Sequence, residues 1–221
     1  MLLRALEPEY MDTADDAAGY DSMDHAGVNR VFVADFRAAW DGRSPIIDVG
    51  TGTAQIPVEF CRQSAAGDVI AVDAAAEMLM LAKRNIEAAG FAARVTCQQA
   101  DAKGMPFAAG SAAAVMSNSI VHHIPDPRTV FREIKRIAAP GATIFVRDLL
   151  RPGNMEELNG LVQTYAGREN AHQRRMFAES LHAALILDEV REMVAELGFD
   201  PAGVTQTTDR HWTWRVPGGR P

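Results

Sequence analysis

The sequence predicts an α/β fold, a doubly wound and mostly parallel sheet with helices on both faces. Three observations predict this class. Short apolar runs alternate with helical segments between about residues 44 and 148, which is typical of parallel strands joined by crossover helices. The first run, Pro45–Val49, leads directly into a glycine turn and a helix. The first three runs also place an acid at or near their carboxyl ends, the sheet edge where ligands bind.

A helical segment precedes this alternation. Val28, Val31, Phe32 and Phe36 recur at helical spacing within the first 40 residues, so we predict an amphipathic helix there. Polar residues crowd ahead of it, and Asp24 among them fits a helix cap.

The glycine turn is the first candidate binding element. Gly50 and Gly52 follow a strand that contains Asp48, and a helix begins near Ala54. Bare backbone N–H groups at such a helix N-terminus allow a ligand to approach closely. The carboxylate of Asp48 suits a positively charged ligand and would repel a pyrophosphate. Gln55 stands where the dinucleotide fingerprint requires Gly or Ala, so NAD or FAD is a weaker alternative, and an ordinary tight turn is another.

Four further strands follow along the chain, at Asp68–Asp73, Arg94–Asp101, Ala113–Ser119 and Ala142–Arg147. Asp73 ends the second strand about 20 residues beyond the glycine turn, where an acid accepts hydrogen bonds from ribose hydroxyls. Between the last two strands, Asp126-Pro127 is typical of a helix start and Pro140-Gly141 of a helix end.

The pattern changes after the fifth strand. Residues 151 to 184 are polar and helical in spacing, and Leu187–Leu197 forms a separate amphipathic helix that ends at Gly198. Segments 203–208 and 211–216 then predict a closing hairpin. Trp212 and Trp214 alternate with Thr213, so we expect both indoles on one face of their strand, in the core.

Together these motifs resemble those of the class I S-adenosylmethionine-dependent methyltransferases of the small-molecule type. The resemblance covers residues 44 to 150 and rests on Asp48–Thr53, Asp73 with Met78, Asp101-Ala102, Asn118–Asp126 and Ala139–Thr143. It implies the Rossmann-like methyltransferase fold, with a seven-stranded sheet and one antiparallel strand, in a single domain over residues 1–221. It also implies that residues 1–40 form a helical cover and that residues 151–184 are a helical insertion near the substrate side.

The resemblance implies S-adenosyl-L-methionine as the cofactor and S-adenosyl-L-homocysteine as the product. Asp48 and the turn would hold the methionine part, Asp73 the ribose hydroxyls, and Met78 and Asp101 the adenine, while Asn118 would line the pocket near the sulfonium. The implied cofactor-binding residues are Asp48, Gly50, Thr51, Gly52, Thr53, Asp73, Ala74, Met78, Asp101, Ala102, Asn118 and Ser119. Ala54 departs from the family, in which many members carry a third glycine.

Purely structural roles are open for three of these residues. Asp73 could cap the helix that begins near Ala76. Met78 lies at helical spacing with Leu81, so packing in the core is as well supported as an adenine contact. Asp101 could be a turn residue.

Catalytic residues are predicted at two strand ends. His122 and His123 follow the fourth strand and Asp148 ends the fifth, and each could accept a proton from the methyl acceptor. Adjacent side chains point in different directions, so only one histidine is expected to face the pocket. Arg147 could clamp an anionic substrate, and Tyr20 is a second predicted substrate contact. A loop histidine bonded to backbone and a mutual or surface Arg147–Asp148 ion pair are the alternatives.

Composition favours an enzyme acting on small molecules. The 221 residues carry a net charge of −7 and a pI near 5.4, which argues against a nucleic-acid partner. The chain lacks an apolar run long enough to span a membrane and a signal-type N-terminus, so we expect no membrane partner and a cytoplasmic location. Cys61 and Cys97 form neither a disulfide framework nor a metal spacing. Both are expected to be buried, and we predict no metal site.

The predicted function is therefore S-adenosylmethionine-dependent methyl transfer to an unidentified small-molecule acceptor. Two alternatives are a nicotinamide-dependent oxidoreductase, which would use the same glycine turn, and a non-catalytic protein that only binds S-adenosylmethionine.

Overall fold

The computed structural model describes residues 2–7, 13–23 and 25–219. Within them the strands are β1 (Ile46–Val49), β2 (Val69–Asp73), β3 (Val95–Gln99), β4 (Ala112–Asn118), β5 (Ala138–Leu149), β6 (Val204–Thr208) and β7 (His211–Val216). They form a seven-stranded sheet in the order β3-β2-β1-β4-β5-β7-β6. β1 pairs in parallel with β2 and β4, β2 pairs in parallel with β3, and β6 is antiparallel to β7. The predicted fold class is confirmed.

The α-helices in the described ranges are α1 (Ala14–Asp21), α2 (Ala26–Ala39), α3 (Gln55–Gln63), α4 (Ala76–Ala88), α5 (Arg128–Ile137), α6 (Met155–Ala166), α7 (Ala171–Ala183) and α8 (Leu187–Glu196). Short 3₁₀ turns cover Val121–His123 and Pro201–Gly203. Among these described helices, none combines the length and the apolar character that crossing a membrane requires.

Several predicted boundaries differ from the structure by one to four residues, among them the starts of α5 and β5. α5 begins at Arg128, one residue after the expected start at Pro127, and the Asp126 carboxylate accepts the Arg128 N–H at 3.2 Å, as a capping side chain does. The fifth strand begins at Ala138 rather than Ala142. Pro140 has no N–H and disfavours helical backbone at the residue before it, so the chain is already extended there.

The chain divides into two compact units. The larger unit contains Tyr10–Asn118, Thr129–Val146 and Arg215–Pro221, and the smaller unit contains Met1–Glu9, Ser119–Arg128 and Arg147–Trp214. The single-domain organisation, and the roles of residues 1–40 and 151–184 as cover and insertion, stay predictions.

An aromatic cluster forms part of the core of the larger unit. Phe32 and Phe36 of α2 pack edge-on against Phe145, with ring centroids 5.2 and 6.1 Å apart. Val28 and Val31, which helical spacing had placed on this face, are 41% and 55% exposed. The buried stripe of α2 instead comprises Asn29, Phe32, Val33, Phe36 and Ala39. Cys61 is buried and Cys97 is only half-buried, and both are free thiols.

The smaller unit has its own apolar contacts. Leu149 of β5, Leu158 of α6 and Leu181 of α7 are buried in one cluster. Trp212 and Trp214 of β7 are fully buried, and Trp214 packs edge-on against Phe199 at 5.2 Å. The predicted hairpin and its two buried indoles are confirmed.

Candidate active site

The turn after β1 is held in left-handed backbone conformations. Gly50 and Gly52 have φ angles of 73° and 55°, which glycine adopts without a steric penalty. The N–H groups of Gly50 and Thr51 both donate to the Val72 carbonyl at 2.8 Å, which ties the turn to β2. Ala54 also has a positive φ, 60°, at a cost of about 1–2 kcal/mol for a residue other than glycine. Strain of this kind persists where a site needs a particular backbone shape.

The Asp48 carboxyl is buried beside this turn and is only 1% exposed. Burial raises the pKa of Asp48 to about 7; the nearby Thr51 hydroxyl opposes this rise and the Asp73 charge adds to it. Asp48 Oδ2, Thr51 Oγ1 and Thr53 Oγ1 are all buried and none makes a hydrogen bond. Buried polar atoms are almost always hydrogen-bonded. This group of acceptors therefore fits a polar ligand that brings donors, and a cationic donor best of all.

Asp73 closes the other side of the turn. Its Oδ2 accepts the Gly52 N–H at 2.8 Å and its Oδ1 accepts the Ala75 N–H at 3.0 Å. Asp73 is not the N-cap of α4, which is Ala75, but its bond to the Ala75 N–H lies directly ahead of that helix, so the structural alternative stays open. Each carboxylate oxygen keeps a second lone pair. The backbone thus fixes the orientation of a carboxylate that can still accept hydrogen bonds from a ligand.

Tyr20 of α1 lies over the turn. A Cβ atom added at Gly52 would meet Tyr20 Cε1 at 3.5 Å. Burial raises the pKa of the Tyr20 hydroxyl to about 12, with further contributions from Asp48 and Asp73. The structure therefore brings the predicted substrate contact together with the predicted cofactor residues. Asp24, the predicted helix cap, lies outside the described residues.

The predicted adenine contacts have structural roles in this conformation. Met78 is 6% exposed and packs with Ala17 and Tyr20, in line with the core-packing alternative. Asp101 accepts the Lys103 N–H at 2.8 Å and pairs with Lys103 Nζ at 3.0 Å, in line with the turn alternative. The adjoining predicted residues are Ala74, whose carbonyl accepts the Gln99 side chain at 3.0 Å, and Ala102, which lies in the turn after Asp101.

The end of β4 contributes the last predicted cofactor residues. Asn118 ends the strand in the larger unit, where Ser117 Oγ donates to the Val49 carbonyl at 2.8 Å and so fastens β4 to β1. Ser119 belongs to the smaller unit. It has a φ of 59° and donates its N–H to the Arg147 carbonyl at 2.9 Å. All predicted cofactor residues except Ser119 thus belong to the larger unit.

A polar network behind the turn was not predicted from sequence. Asn85 Nδ2 donates to Asp21 Oδ1 at 2.8 Å and to the Thr53 carbonyl at 3.0 Å, and Asn29 Nδ2 donates to Gln55 Oε1 at 3.2 Å. Asp21, Asn29, Gln55 and Asn85 line a cavity of about 430 Å³. The available signal was an asparagine among the apolar residues of each of two helices, α2 and α4. The network supports the turn residues Thr53 and Gln55 from behind.

In the smaller unit, His122 and Asp148 form a buried pair. His122 Nδ1 lies 2.5 Å from Asp148 Oδ1, and the Asp148 carboxylate also accepts the N–H groups of Val121 and Leu149, each at 2.6 Å. Burial would lower the pKa of His122, but the Asp148 charge and hydrogen bond raise it above its usual value. Burial would likewise raise the pKa of Asp148, and the His122 charge holds it below its usual range.

Glu7, which sequence reasoning missed, contacts both histidines. Its Oε1 lies 3.4 Å from His122 Nε2 and 3.1 Å from His123 Nδ1, and the two rings are 4.2 Å apart. Both rings therefore contact the same carboxylate, while the expectation that only one histidine faces the substrate pocket stays a prediction. Burial raises the pKa of Glu7, and the His122 charge opposes this.

Arg147 and Asp148 have separate partners. Arg147 is 5% exposed and its Nε donates to Thr213 Oγ1 at 2.9 Å, whereas Asp148 is bound to His122. A surface ion pair between them is therefore wrong, because both are buried.

Comparisons with known proteins agree with this geometry. Residues 47–146 match the family model described as a methyltransferase domain. The ubiquinone/menaquinone biosynthesis C-methyltransferase UbiE of Geotalea uraniireducens is 34% identical over 49% of this chain and 46% of its own length. The demethylmenaquinone methyltransferase of Porphyromonas gingivalis is 25% identical over 84% of this chain and 82% of its own length. A solved structure of a candidate S-adenosylmethionine-dependent methyltransferase from Methanococcus maripaludis superimposes with a TM-score of 0.70 at 18% identity and covers 98% of both chains.

These matches support a class I S-adenosylmethionine-dependent methyltransferase. They imply S-adenosyl-L-methionine as the cofactor, and the nicotinamide alternative gains no support from these comparisons. The matched stretch spans about half the length of the UbiE relative, so the reaction and substrate of this methyltransferase are matters for proposal.

Proposed function

We propose that this methyltransferase transfers the methyl group of S-adenosylmethionine to a small-molecule acceptor. The observation that carries the proposal is the buried Asp48 carboxyl beside the glycine turn, with an oxygen that makes no hydrogen bond. The cofactor's amino-acid part carries an ammonium group, which supplies the positive charge and the N–H donors that this carboxyl lacks.

The neighbouring residues fit the rest of the cofactor. The hydroxyls of Thr51 and Thr53 would accept or donate hydrogen bonds at the methionine part. Asp73, oriented by two backbone N–H groups, would accept the ribose hydroxyls. Met78 and Asp101 would contact the adenine after small changes of side-chain conformation, and Asn118 would line the pocket near the sulfonium.

The bound cofactor would supply an activated methyl group and its own leaving group. The chain's residues would mainly align donor and acceptor and exclude water. Tyr20, which covers the turn, is placed to form part of this enclosure. Proton acceptance by His122, His123 or Asp148, and anion binding by Arg147, stay predictions. In this conformation the ring nitrogens of the two histidines contact Glu7 and Asp148.

A small-molecule acceptor is supported by the named relatives, whose names refer to ubiquinone, menaquinone and demethylmenaquinone. The test is turnover of S-adenosylmethionine labelled in its methyl group, with a panel of reduced quinones, phenols, amines and thiols. The proposal predicts label in at least one small molecule, and at least about tenfold less of it with Asp48→Asn when the cofactor is well below saturation. Labelling only of added RNA or protein would contradict it. Tight cofactor binding with no turnover across the panel would favour the non-catalytic alternative.

A cytoplasmic location also stays a prediction, and it can be checked by fractionating cells that make the protein.

A further inference from the structure

We propose that Glu7, His122 and His123 form a Zn²⁺ site in the smaller unit. The three side chains come from the N-terminal segment and from the 3₁₀ turn after β4. Their ligand atoms, Glu7 Oε1, His122 Nε2 and His123 Nδ1, all lie within 4.8 Å of one another. A metal here would occupy ring nitrogens of the two histidines that are also predicted proton acceptors, and the site departs from the sequence-based expectation of no metal.

The spacing of the ligand atoms suits a small tetrahedral cation. Zinc bonds to nitrogen and carboxylate oxygen of about 2.0–2.1 Å place tetrahedral ligand atoms about 3.3 Å apart. Glu7 Oε1 lies 3.4 Å from His122 Nε2 and 3.1 Å from His123 Nδ1. Glu7 Oε1 is buried and makes no hydrogen bond. One cation placed among these three atoms would therefore contact the carboxylate and both ring nitrogens.

The surroundings orient the ligands as metal sites require. The Asp148 carboxylate accepts a hydrogen bond from His122 Nδ1 at 2.5 Å when Nδ1 carries the hydrogen of a neutral ring. The lone pair of Nε2 is then directed at Glu7. A carboxylate behind a ligating histidine is the common partner of zinc-bound imidazole. The second oxygen of Glu7 accepts a hydrogen bond from Ser180 Oγ at 3.1 Å. Both a histidine ligand and the carboxylate ligand are thus held by a further hydrogen bond.

Two carboxyl groups, those of Glu7 and Asp148, and one guanidinium, that of Arg4, lie at the site. A bound cation would be attracted to both carboxyl groups when they are ionised. Arg4 itself donates to the carbonyls of His122 and Ile124 at 3.1 and 2.9 Å, so its guanidinium holds the N-terminal segment against the histidine turn. A bound metal would fasten the same two segments more strongly, because it joins Glu7 directly to both histidines.

The ligand set selects the metal. Two imidazoles and one carboxylate suit zinc and related transition metals, whereas magnesium and calcium prefer oxygen ligands. Three protein ligands leave a fourth position for water or another small ligand. The side chains are 4% (His122), 19% (His123) and 9% (Glu7) exposed, so the site is enclosed but reachable from solvent at His123.

The test uses the full-length chain without an affinity tag, stripped with a chelator and titrated with Zn²⁺ by calorimetry. The proposal predicts one zinc per chain, with an affinity that Glu7→Gln and His123→Ala each lower about tenfold or more. His172→Ala, which removes an exposed histidine of α7, is the matched control and leaves the affinity unchanged. Zinc should also raise the melting temperature of the wild type and the control, and not that of the two ligand variants.

A second measurement needs no variant. X-ray absorption at the zinc edge should show only nitrogen and oxygen neighbours, including two imidazoles. Absence of binding, binding that survives either ligand substitution, or sulfur neighbours from Cys61 or Cys97 would overturn the proposal. In that case a proton shared between His122 and Glu7 would account for the cluster.

Discussion

Replacing Asp48 by Asn should stabilise the protein without cofactor and weaken cofactor binding. The carboxyl is buried and its pKa is raised from 3.8 to about 7. The folded state therefore holds a proton that the unfolded state loses above pH 3.8, so stability falls as pH rises from about 4 to 7. At 1.36 kcal/mol for each pKa unit, the ionised carboxylate costs up to about 4 kcal/mol above pH 7. Asn is isosteric and cannot ionise, so it removes this cost.

Urea unfolding of wild type and Asp48→Asn at two pH values measures the effect. The variant should be more stable by up to about 4 kcal/mol at pH 8 and by about 2 kcal/mol at pH 5, because protonation already relieves the wild type at the lower pH. Asp188→Asn is the control, since that side chain is 86% exposed. It should change the free energy of unfolding by less than about 1 kcal/mol, with little dependence on pH.

The same variant tests the function of the carboxyl. With a pKa of about 7, about three quarters of the Asp48 carboxyl groups are protonated at pH 6.5. An ammonium group bound there would keep the carboxylate ionised, so the wild type should release about three quarters of a proton when it binds the cofactor. Calorimetry in buffers of different ionisation enthalpy measures this release. Asp48→Asn should bind at least about tenfold more weakly and release no proton from this site. A variant that is no more stable at pH 8 and binds the cofactor equally well would refute the reasoning.

Three further predictions follow from single side chains. Asp73→Asn should lower the affinity for S-adenosylmethionine about 10- to 100-fold in calorimetry, because it weakens charge-assisted hydrogen bonds to ribose. Asp101 is 42% exposed and paired with Lys103, so Asp101→Asn should lower the affinity less. Equal effects of the two substitutions would contradict the assigned contacts. Trp212→Ala should cost about 3–5 kcal/mol in urea unfolding, since the indole is fully buried, and a loss below about 1 kcal/mol would show that the strand is not in the core. Burial, and to a smaller extent the charge of Arg210, lowers the pKa of His211 to about 4. Because only the unfolded state gains a proton between pH 7 and pH 5, the free energy of unfolding of the wild type should fall by about 2 kcal/mol relative to that of His211→Gln. A stability difference that does not change with pH would contradict this prediction.

The sheet and the glycine turn were predictable because their signals are local. A strand buried on both faces is mostly apolar, and β1 is buried at all four residues, of which only Asp48 is polar. Gly50 and Gly52 follow that strand directly, and both have the positive φ angles that glycine adopts readily. The hairpin of β6 and β7 was likewise readable from alternation across Trp212 and Trp214.

The face that α2 buries was not predictable in the same way. Val28 and Val31 share helical spacing with Phe32 and Phe36, yet the larger aromatic rings decide the orientation and leave both valines exposed. Spacing alone cannot choose between two overlapping stripes on one helix.

The histidine cluster depends on contacts between distant parts of the chain. Glu7 contacts His122 and His123, although more than one hundred residues separate them in the sequence. No local sequence pattern indicates such a contact. The sequence did identify both histidines and Asp148 as candidates. Their shared hydrogen bonding, and the arrival of the N-terminal segment beside them, follow only from the folded chain.

A crystal structure of the protein with S-adenosyl-L-homocysteine bound would locate the cofactor site. We expect the ligand's ammonium within hydrogen-bonding distance of Asp48 and its ribose hydroxyls on the Asp73 carboxylate. A ligand bound elsewhere, or bound here with neither aspartate in contact, would contradict it.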